Sequence, residues 1–221
     1  PRDDPVGPVE SSADHIFRGA VRIILTEEQG SEYRQDRPSN MLNLVTGIRG
    51  CGKTVFVTQI ANRLQEDKNW EIVHLNPQRD LLTSLAAKLN SQQTLSRWFQ
   101  EAKINLQAFG FGVDVKGTPP VQDIEEALAR MFRSIKKHKK RVLITIDEAT
   151  NSKEIRAFAS AYQLFLREEL PVFLLMSGLF HQIDRLRTAE GMTFLERAPR
   201  TVLSPLSFSA MVSRFEGTLK I

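Results

Sequence analysis

A glycine-rich segment that ends in lysine and threonine carries the clearest chemistry in this sequence. It reads GIRGCGKT (residues 47–54) and fits the phosphate-binding pattern G-x-x-x-x-G-K-[ST]. Its glycines allow a turn with positive φ, which brings successive backbone N–H groups close to an anionic oxygen. In this pattern the lysine, Lys53, reaches the β- and γ-phosphates of a nucleotide, and the hydroxyl of Thr54 ligates Mg²⁺. The predicted ATP-binding residues are Gly47, Ile48, Arg49, Gly50, Cys51, Gly52, Lys53, Thr54 and Val55.

Two adjacent acids, Asp147 and Glu148, follow an apolar segment, RVLITI (residues 141–146). The segment is typical of a buried parallel strand, whose carboxyl end lies at the sheet edge where α/β folds bind ligands. Asp147 is predicted to complete the Mg²⁺ shell, and Glu148 to orient or deprotonate the attacking water. The alternative is a pair of solvated charges at a strand end. With the glycine-rich loop in the same chain, the pair indicates hydrolysis of the nucleotide.

These residues need a sheet and covering helices to bring them together. Apolar runs predict core strands over residues 41–46, 70–75, 141–146, 172–176 and 201–203. Helical periodicity predicts helices over residues 55–64, 81–89, 91–100, 121–137 and 155–169. The alternation of apolar and polar residues around glycines in residues 104–116 predicts an inserted β-hairpin. Strands that alternate with helices predict an α/β fold with a parallel sheet covered on both faces.

Composition excludes several classes of protein. The 221 residues, 41% hydrophobic and 25% charged, suffice for one α/β domain with a full core. A net charge of +4, spread along the chain, does not by itself require nucleic acid. A single cysteine excludes an internal disulfide framework and favours a reducing, cytoplasmic compartment. The longest apolar run, residues 170–180, is too short to span a bilayer, so no membrane association is expected.

The loop, the ITIDE segment (residues 144–148), a later strand ending in Ser177, and arginine-rich sequence before LSPL (residues 203–206) together resemble the AAA+ and STAND-like ATPases of the additional-strand-catalytic-glutamate class. The chain is most similar to bacterial ATPase modules related to archaeal-type and origin-recognition (ORC/Cdc-type) ATPases, over residues 40–206. The resemblance implies a three-layer P-loop NTPase fold with strand order 5-1-4-3-2. It also implies a helical lid and hydrolysis of ATP to ADP and phosphate, coupled to a conformational switch or remodelling.

The resemblance also assigns roles to two further residues. Ser177 falls where a polar side chain senses the γ-phosphate or the water, although a small residue closing a strand explains it equally well. Arg197 falls where such families place an arginine finger that serves a neighbouring subunit of a homo-oligomer. Arg200 is its rival, and an exposed arginine at a helix end is the alternative for Arg197. We count Glu148, Lys53, Ser177 and Arg197 as candidate catalytic residues.

The resemblance divides the chain into three parts. Residues 1–39 form a lead-in with a helix over residues 13–25, residues 40–206 form the ATPase core, and residues 207–221 begin the lid. The chain starts with proline, and its last stretch has no helix stop signal. We therefore expect it to be a fragment of a longer protein.

Two features allow both a functional and a plain interpretation. The basic segment RSIKKHKKR (residues 133–141) is a candidate nucleic-acid patch, or the solvated end of a helix where cations suit the dipole. Cys51 is either a redox-sensitive thiol beside bound phosphate or a small residue that fills a variable loop position.

The favoured function is ATP hydrolysis with Mg²⁺. The alternative is a nucleotide-gated switch with little turnover, whose nucleotide state controls assembly with DNA or with another protein. A small-molecule P-loop kinase is disfavoured by Glu148 and by the predicted hairpin.

Overall fold

The computed structural model describes residues 41–205, except residues 113, 114 and 116. The predicted N-terminal lead-in with its helix and the predicted start of the lid lie outside the described residues.

A five-stranded parallel sheet forms the centre of the described chain. Its strands are β1 (Leu42–Gly47), β2 (Trp70–Leu75), β3 (Arg141–Ile146), β4 (Val172–Gly178) and β5 (Arg200–Leu203). Their order across the sheet is β2-β3-β4-β1-β5, with every neighbouring pair parallel. This is the predicted order 5-1-4-3-2 counted from the opposite edge, so the prediction is confirmed. The segments that follow β1, β3 and β4 consequently emerge side by side at one edge of the sheet.

Six α-helices accompany the sheet in the described residues. They are α1 (Lys53–Gln65), α2 (Leu81–Ser91), α3 (Gln93–Glu101), α4 (Ile124–Lys137), α5 (Lys153–Arg167) and α6 (Phe180–Arg187). Helix α4 begins later than its predicted start at residue 121 because the Asp123 side chain accepts hydrogen bonds from two backbone N–H groups of its first turn. In the described part of the chain, no helix has the length and apolarity needed to cross a membrane.

Helices cover both faces of the sheet, as predicted. On one face, α1 and the strands share a buried apolar cluster that includes Val45, Phe56, Val57, Ile60, Leu143 and Leu175. On the other face, a larger cluster joins the sheet to α2, α4 and α5 and includes Leu44, Leu85, Phe132, Ile144, Phe158 and Leu174. Strand residues alternate between the clusters because successive side chains point to opposite faces. The three-layer α/β architecture is therefore confirmed.

One buried tyrosine braces the end of the sheet opposite the two motifs. The Tyr162 hydroxyl on α5 lies 2.7 Å from the carbonyl oxygen of Met41 and 3.0 Å from that of Val172. These carbonyls stand at the beginnings of β1 and β4. The tyrosine thus fixes α5 to the two central strands, and a buried hydroxyl with partners avoids a desolvation penalty of about 1–3 kcal/mol.

The predicted β-hairpin over residues 104–116 is wrong for the residues that the structure describes, none of which lies in a strand. A short 3₁₀-helix, Gln107–Phe109, occupies part of the segment. The buried Asn105 side chain donates to the Thr118 carbonyl at 2.9 Å and accepts from the Gln107 backbone N–H at 3.1 Å. The apolar residues of this segment, such as Ile104 and Leu106, anchor a loop to the core. Their alternation with polar residues therefore does not reflect the two faces of a sheet.

Candidate functional site

A cleft of about 680 Å³ opens where β1, β3 and β4 end. Six residues of the glycine-rich loop and of the first turn of α1 line it: Arg49, Gly50, Gly52, Lys53, Thr54 and Val55. Asp147 and Glu148 line the same cleft from the end of β3. The structure therefore brings together the two motifs that the sequence keeps more than ninety positions apart.

The glycine-rich loop ends in a left-handed residue that starts α1. Gly52 is the N-cap of the helix at φ 87°, a conformation that favours glycine over residues with a Cβ. No side chain from the described residues caps this helix end. Because the first backbone N–H groups of a helix have no partner within the helix, this end favours an anion in the cleft, aided by the helix dipole.

The Lys53 ammonium group lies in the curve of the loop. Its Nζ donates to the carbonyl oxygens of Gly47 at 3.1 Å and Ile48 at 2.7 Å, and it is 3.8 Å from Cys51 Sγ. A phosphate group in the cleft would offer this ammonium a charged acceptor, and such hydrogen bonds are roughly twice as strong as those to neutral groups. The charge is thus already positioned inside the predicted phosphate site.

Asp147 has the most closely defined orientation in the site. Its Oδ2 accepts a 2.6 Å hydrogen bond from Thr54 Oγ1. Its Oδ1 accepts from the Ser177 hydroxyl and, at 3.0 Å, from the Glu148 backbone N–H. Three donors from three segments of the chain therefore fix both oxygens of this carboxylate.

Glu148 adopts a left-handed backbone conformation at φ 56°. For a residue with a Cβ this conformation costs about 1–2 kcal/mol, and such strain is often found at functional sites. The turn is held from the next residue, because the Ala149 N–H donates to the Ser177 carbonyl at 2.8 Å. The result is an exposed carboxylate presented to the cleft beside Asp147.

The residues present fit Mg²⁺ bound together with phosphate. Thr54 and Asp147 provide adjacent hard oxygen ligands at the cleft, and Mg²⁺ usually binds through one or two protein oxygens plus phosphates and water. Within the described residues there is no group of three or more His, Cys, Asp or Glu side chains that could hold a metal. The arrangement therefore suits a metal that arrives with a nucleotide.

Besides Arg197, four predicted site residues do not line the cleft. Gly47 lies at the end of β1, and Ile48 is 52% exposed on the outside of the loop. Cys51 is only 9% exposed and packs into the cluster beneath α1, which favours its interpretation as a filling residue. Ser177 is fully buried and reaches the site only through Asp147.

The two candidate arginines lie outside the cleft lining and differ in their contacts. Arg200 pairs with Asp184 at 3.0 Å. Arg197 is exposed at the end of the 3₁₀-helix Thr193–Arg197, and no ion pair involves it among the described residues. The Arg187 guanidinium holds this short helix by donating to the carbonyls of Leu195 at 3.2 Å and Glu196 at 2.8 Å. Arg197 is therefore the arginine available to another molecule.

The basic segment at residues 133–141 is partly neutralised by acids of neighbouring elements. Arg133 pairs with Glu168 at 2.6 Å, and Lys140 pairs with Glu71. The Lys140 ammonium also lies 5.7 Å from the centre of the Trp98 ring. These contacts favour the interpretation as a solvated helix end over that of a nucleic-acid patch.

Other cleft residues were not predicted from the sequence. They lie at or after the ends of β2, β3 and β4 and are Pro77, Gln78, Thr150, Ser152, Glu154, Gly178, Leu179 and Gln182. The available signal was their position just after core strands, whose carboxyl ends share one edge of the sheet. The pKa of Glu154 lies below its ordinary value because its own backbone N–H, and then the Ser152 hydroxyl, hydrogen-bond its carboxylate.

The sequence matches one family model. The family model described as an ATPase domain predominantly from Archaea matches residues 32–172. No curated protein sequence matches the chain.

Solved structures share the fold at low sequence identity. The Aeropyrum pernix ORC2 protein in ADPNP–ADP complexes has 14% identity and a TM-score of 0.61, with 99% of this chain and 54% of that chain covered. The Aeropyrum pernix ORC1 protein in complex with DNA has 14% identity and a TM-score of 0.58, with 98% and 51% covered. Cdc6p from Pyrobaculum aerophilum has 12% identity and a TM-score of 0.58, with 99% and 52% covered. The chain thus spans about half the length of each, and at these identities the likeness shows the fold alone.

Proposed function

Because this chain belongs to the family of ATPase domains found predominantly in Archaea, we propose that it binds ATP with Mg²⁺ and hydrolyses it to ADP and phosphate. Membership of this family confirms the predicted archaeal-type ATPase domain, and the fold is shared with the ORC and Cdc6 structures. The observation that carries the proposal is the contact of Thr54 with Asp147 in a cleft that also holds Lys53 and Glu148.

Each residue has a distinct part in the proposed reaction. The loop N–H groups and Lys53 bind the β- and γ-phosphates, while Thr54 and Asp147 hold Mg²⁺. The metal, when bound, neutralises charge on the phosphate oxygens. Glu148 orients the attacking water and accepts its proton, which requires a carboxylate that can reach water in the cleft. The Glu148 side chain is exposed and lines that cleft.

We extend the proposal to assembly with a second copy of the chain. Arg197 is exposed and lacks an ion pair among the described residues, whereas Arg200 is held by Asp184. In a homo-oligomer, Arg197 would stabilise charge on the γ-phosphate in a neighbouring subunit, as arginine fingers do. An ATP turnover rate per subunit that rises with protein concentration in the wild-type protein, but stays constant in Arg197→Ala, would support this extension.

A nucleotide-gated switch with little turnover is the second candidate, with DNA or a protein as partner. One observation favours the switch. The Ser177 hydroxyl, which was predicted to sense the γ-phosphate or the attacking water, is bonded to Asp147 instead, while β4 contributes Gly178 to the cleft. Glu148 alone disfavours a small-molecule kinase, because the predicted hairpin is absent from the described residues.

Steady-state hydrolysis by the wild-type protein and by Glu148→Gln tests the proposal, with ATP binding measured alongside. We expect the variant to lose turnover by roughly 10²–10⁴-fold, the usual contribution of a general base, and to keep its ATP affinity. Glu154→Gln is the matched control, since Glu154 is a second carboxylate in the same cleft. Its turnover should stay within about twofold of wild type, because no catalytic role is proposed for it.

Other outcomes distinguish the candidates. Tight ATP binding without turnover, with or without duplex DNA, would replace the hydrolase by the switch. Equal loss of turnover in the Gln variants of Glu148 and Glu154 would remove the specific role of Glu148. Absence of ATP binding would refute both candidates.

A further inference from the structure

Ser177 is fully buried, although it stands at the end of β4 next to the cleft. The cleft is lined on this side by the next two residues, Gly178 and Leu179. The Ser177 hydroxyl instead donates to Oδ1 of Asp147. Its direct partner is therefore a protein carboxylate, and Asp147 lines the cleft whereas Ser177 does not.

The backbone holds Ser177 against the same turn. Its carbonyl accepts a 2.8 Å hydrogen bond from the Ala149 N–H. A Cβ added to Gly178 would lie 2.8 Å from the Ala149 carbonyl oxygen, closer than real Cβ contacts, so β4 approaches the turn as closely as a glycine permits. Ser177 thus contacts the segment 147–149 through both its side chain and its main chain.

The two oxygens of Asp147 have different partners. Oδ2 faces Thr54, which shares the cleft, whereas Oδ1 receives the Ser177 hydroxyl and the Glu148 N–H. A carboxylate free to rotate would exchange these oxygens. The Ser177 hydroxyl opposes that rotation from the buried side, and it acts on the same oxygen that restrains the backbone of Glu148.

We propose that Ser177 is a positioning residue that fixes the Asp147 carboxylate, and through it the turn of Glu148, without contacting the nucleotide. This inference rests on the proposed function, in which Asp147 holds Mg²⁺ and Glu148 activates water. It assigns Ser177 a different task from the predicted contact with the γ-phosphate, and the two tasks give different measurements.

Binding of a fluorescent ATP analogue and a fluorescent ADP analogue, titrated with Mg²⁺, separates the two roles. In Ser177→Ala we expect the Mg²⁺ concentration at half-maximal binding to rise about tenfold, the effect of removing a partner of a metal ligand. The ratio of ATP to ADP affinity at saturating Mg²⁺, and the affinity in EDTA, should equal those of wild type. Ser177→Thr keeps the hydroxyl and should restore the Mg²⁺ midpoint, which a purely steric role would not predict.

A different result would overturn the inference. A fall in ATP affinity relative to ADP in Ser177→Ala, with an unchanged Mg²⁺ midpoint, would show direct contact with the γ-phosphate. A midpoint unchanged in Ser177→Ala, with an unchanged affinity ratio, would show that Asp147 does not need the hydroxyl.

Thermal unfolding without nucleotide provides a second measurement that does not depend on the proposed function. The midpoint temperatures of Ser177→Ala, Asp147→Ala and the double variant form a cycle. We expect the double variant to be shifted by no more than the larger single variant, because either change breaks the same contact. Additive shifts would overturn the coupling. A wild-type protein that binds no nucleotide would refute the proposed function, while this cycle would still test whether Ser177 acts on Asp147.

Discussion

Thr54 and Asp147, which are 93 positions apart in the sequence, are joined by a hydrogen bond of 2.6 Å between Oγ1 and Oδ2. Thr54 belongs to the first turn of α1, and Asp147 follows β3, a strand that is separated from β1 by β4. The contact therefore crosses the end of an intervening strand. It depends on the register of three strands and on the position of α1.

Thr54→Ala should weaken the use of Mg²⁺ more than the fold. The change removes a proposed metal ligand and the donor to Asp147, so we expect turnover to fall by roughly 100-fold at a fixed, subsaturating Mg²⁺ concentration. Thr54→Ser keeps the hydroxyl and should retain most of the activity. Hydrolysis rates measured over a range of Mg²⁺ concentrations check this. Equal activity of the Ala and Ser variants would contradict a ligand role for Thr54.

Lys53→Met should weaken nucleotide binding while it keeps an unbranched side chain of similar size. Charge-assisted hydrogen bonds contribute about 1.5–3 kcal/mol each, so the loss of two such bonds should raise the Kd for ATP by about 100-fold or more. Lys68→Met is the matched control, because Lys68 is exposed in the turn before β2 and away from the cleft lining. Isothermal titration of both variants with ATP measures the difference. Parallel loss in both variants would indicate a general effect of charge.

The backbone of Glu148 predicts an unusual ranking of stability at an exposed position. Asn is tolerated at positive φ, whereas a β-branched residue is strained there. We expect Glu148→Val to be less stable than Glu148→Asn by about 1–2 kcal/mol. Each kcal/mol of lost stability should lower the Tm by roughly 2–4 °C. Glu148→Gln should unfold like wild type, which makes it a clean variant for the hydrolysis test. Thermal unfolding gives the ranking, and Val at least as stable as Asn would show that the turn relaxes.

His74 predicts a loss of stability in mild acid. Burial, and then the charge of Lys88, hold its pKa below the ordinary value of 6.5. The unfolded chain therefore takes up this proton first as the pH falls, so the stability due to neutral His74 is complete above about pH 6.5 and declines below it. The His74 Nδ1 lies 2.6 Å from the Thr145 hydroxyl, and His74→Gln replaces the titrating ring with a neutral polar group.

We expect the Tm of wild type to fall more than that of His74→Gln between about pH 7.5 and about pH 5. His181→Gln is the control, because it removes a histidine that is exposed on α6. A His74→Gln variant with the same pH dependence as wild type would show that His74 does not carry this linkage.

The sequence predicted the parts of the site whose chemistry lies in residue type and local spacing. Gly52, Lys53 and Thr54 are adjacent in the chain, and Asp147 ends an apolar run, so the motifs and the strand before each of them could be read directly. The sheet order came from the family resemblance. The proposed role of Ser177 could not be derived from its residue type. It depends on which face of β4 the side chain occupies and on how closely Gly178 approaches Ala149 in the turn that follows β3.

The predicted β-hairpin at residues 104–116 was wrong for a related reason. Alternation of apolar and polar residues has the period of a strand, but the same pattern arises when a looped segment inserts side chains into a core. The deciding contacts are those of Asn105 with Thr118 and Gln107, and hydrogen bonds of a buried amide leave no periodic signal. The remaining cleft residues, such as Gln78 and Gln182, become neighbours only through the parallel order of the strands.

The cleft is built from segments that follow four different strands, so a ligand that touches all of them is a non-covalent cross-link of the fold. A molecule that is bound by Lys53 of α1 and also by Asp147, which follows β3, must be released before α1 can separate from β3. By mass action, a ligand at 100 times its Kd adds about 2.7 kcal/mol to the free energy of unfolding. Substitutions that weaken the core far from the cleft would consequently be masked at high nucleotide concentration and exposed when nucleotide is depleted.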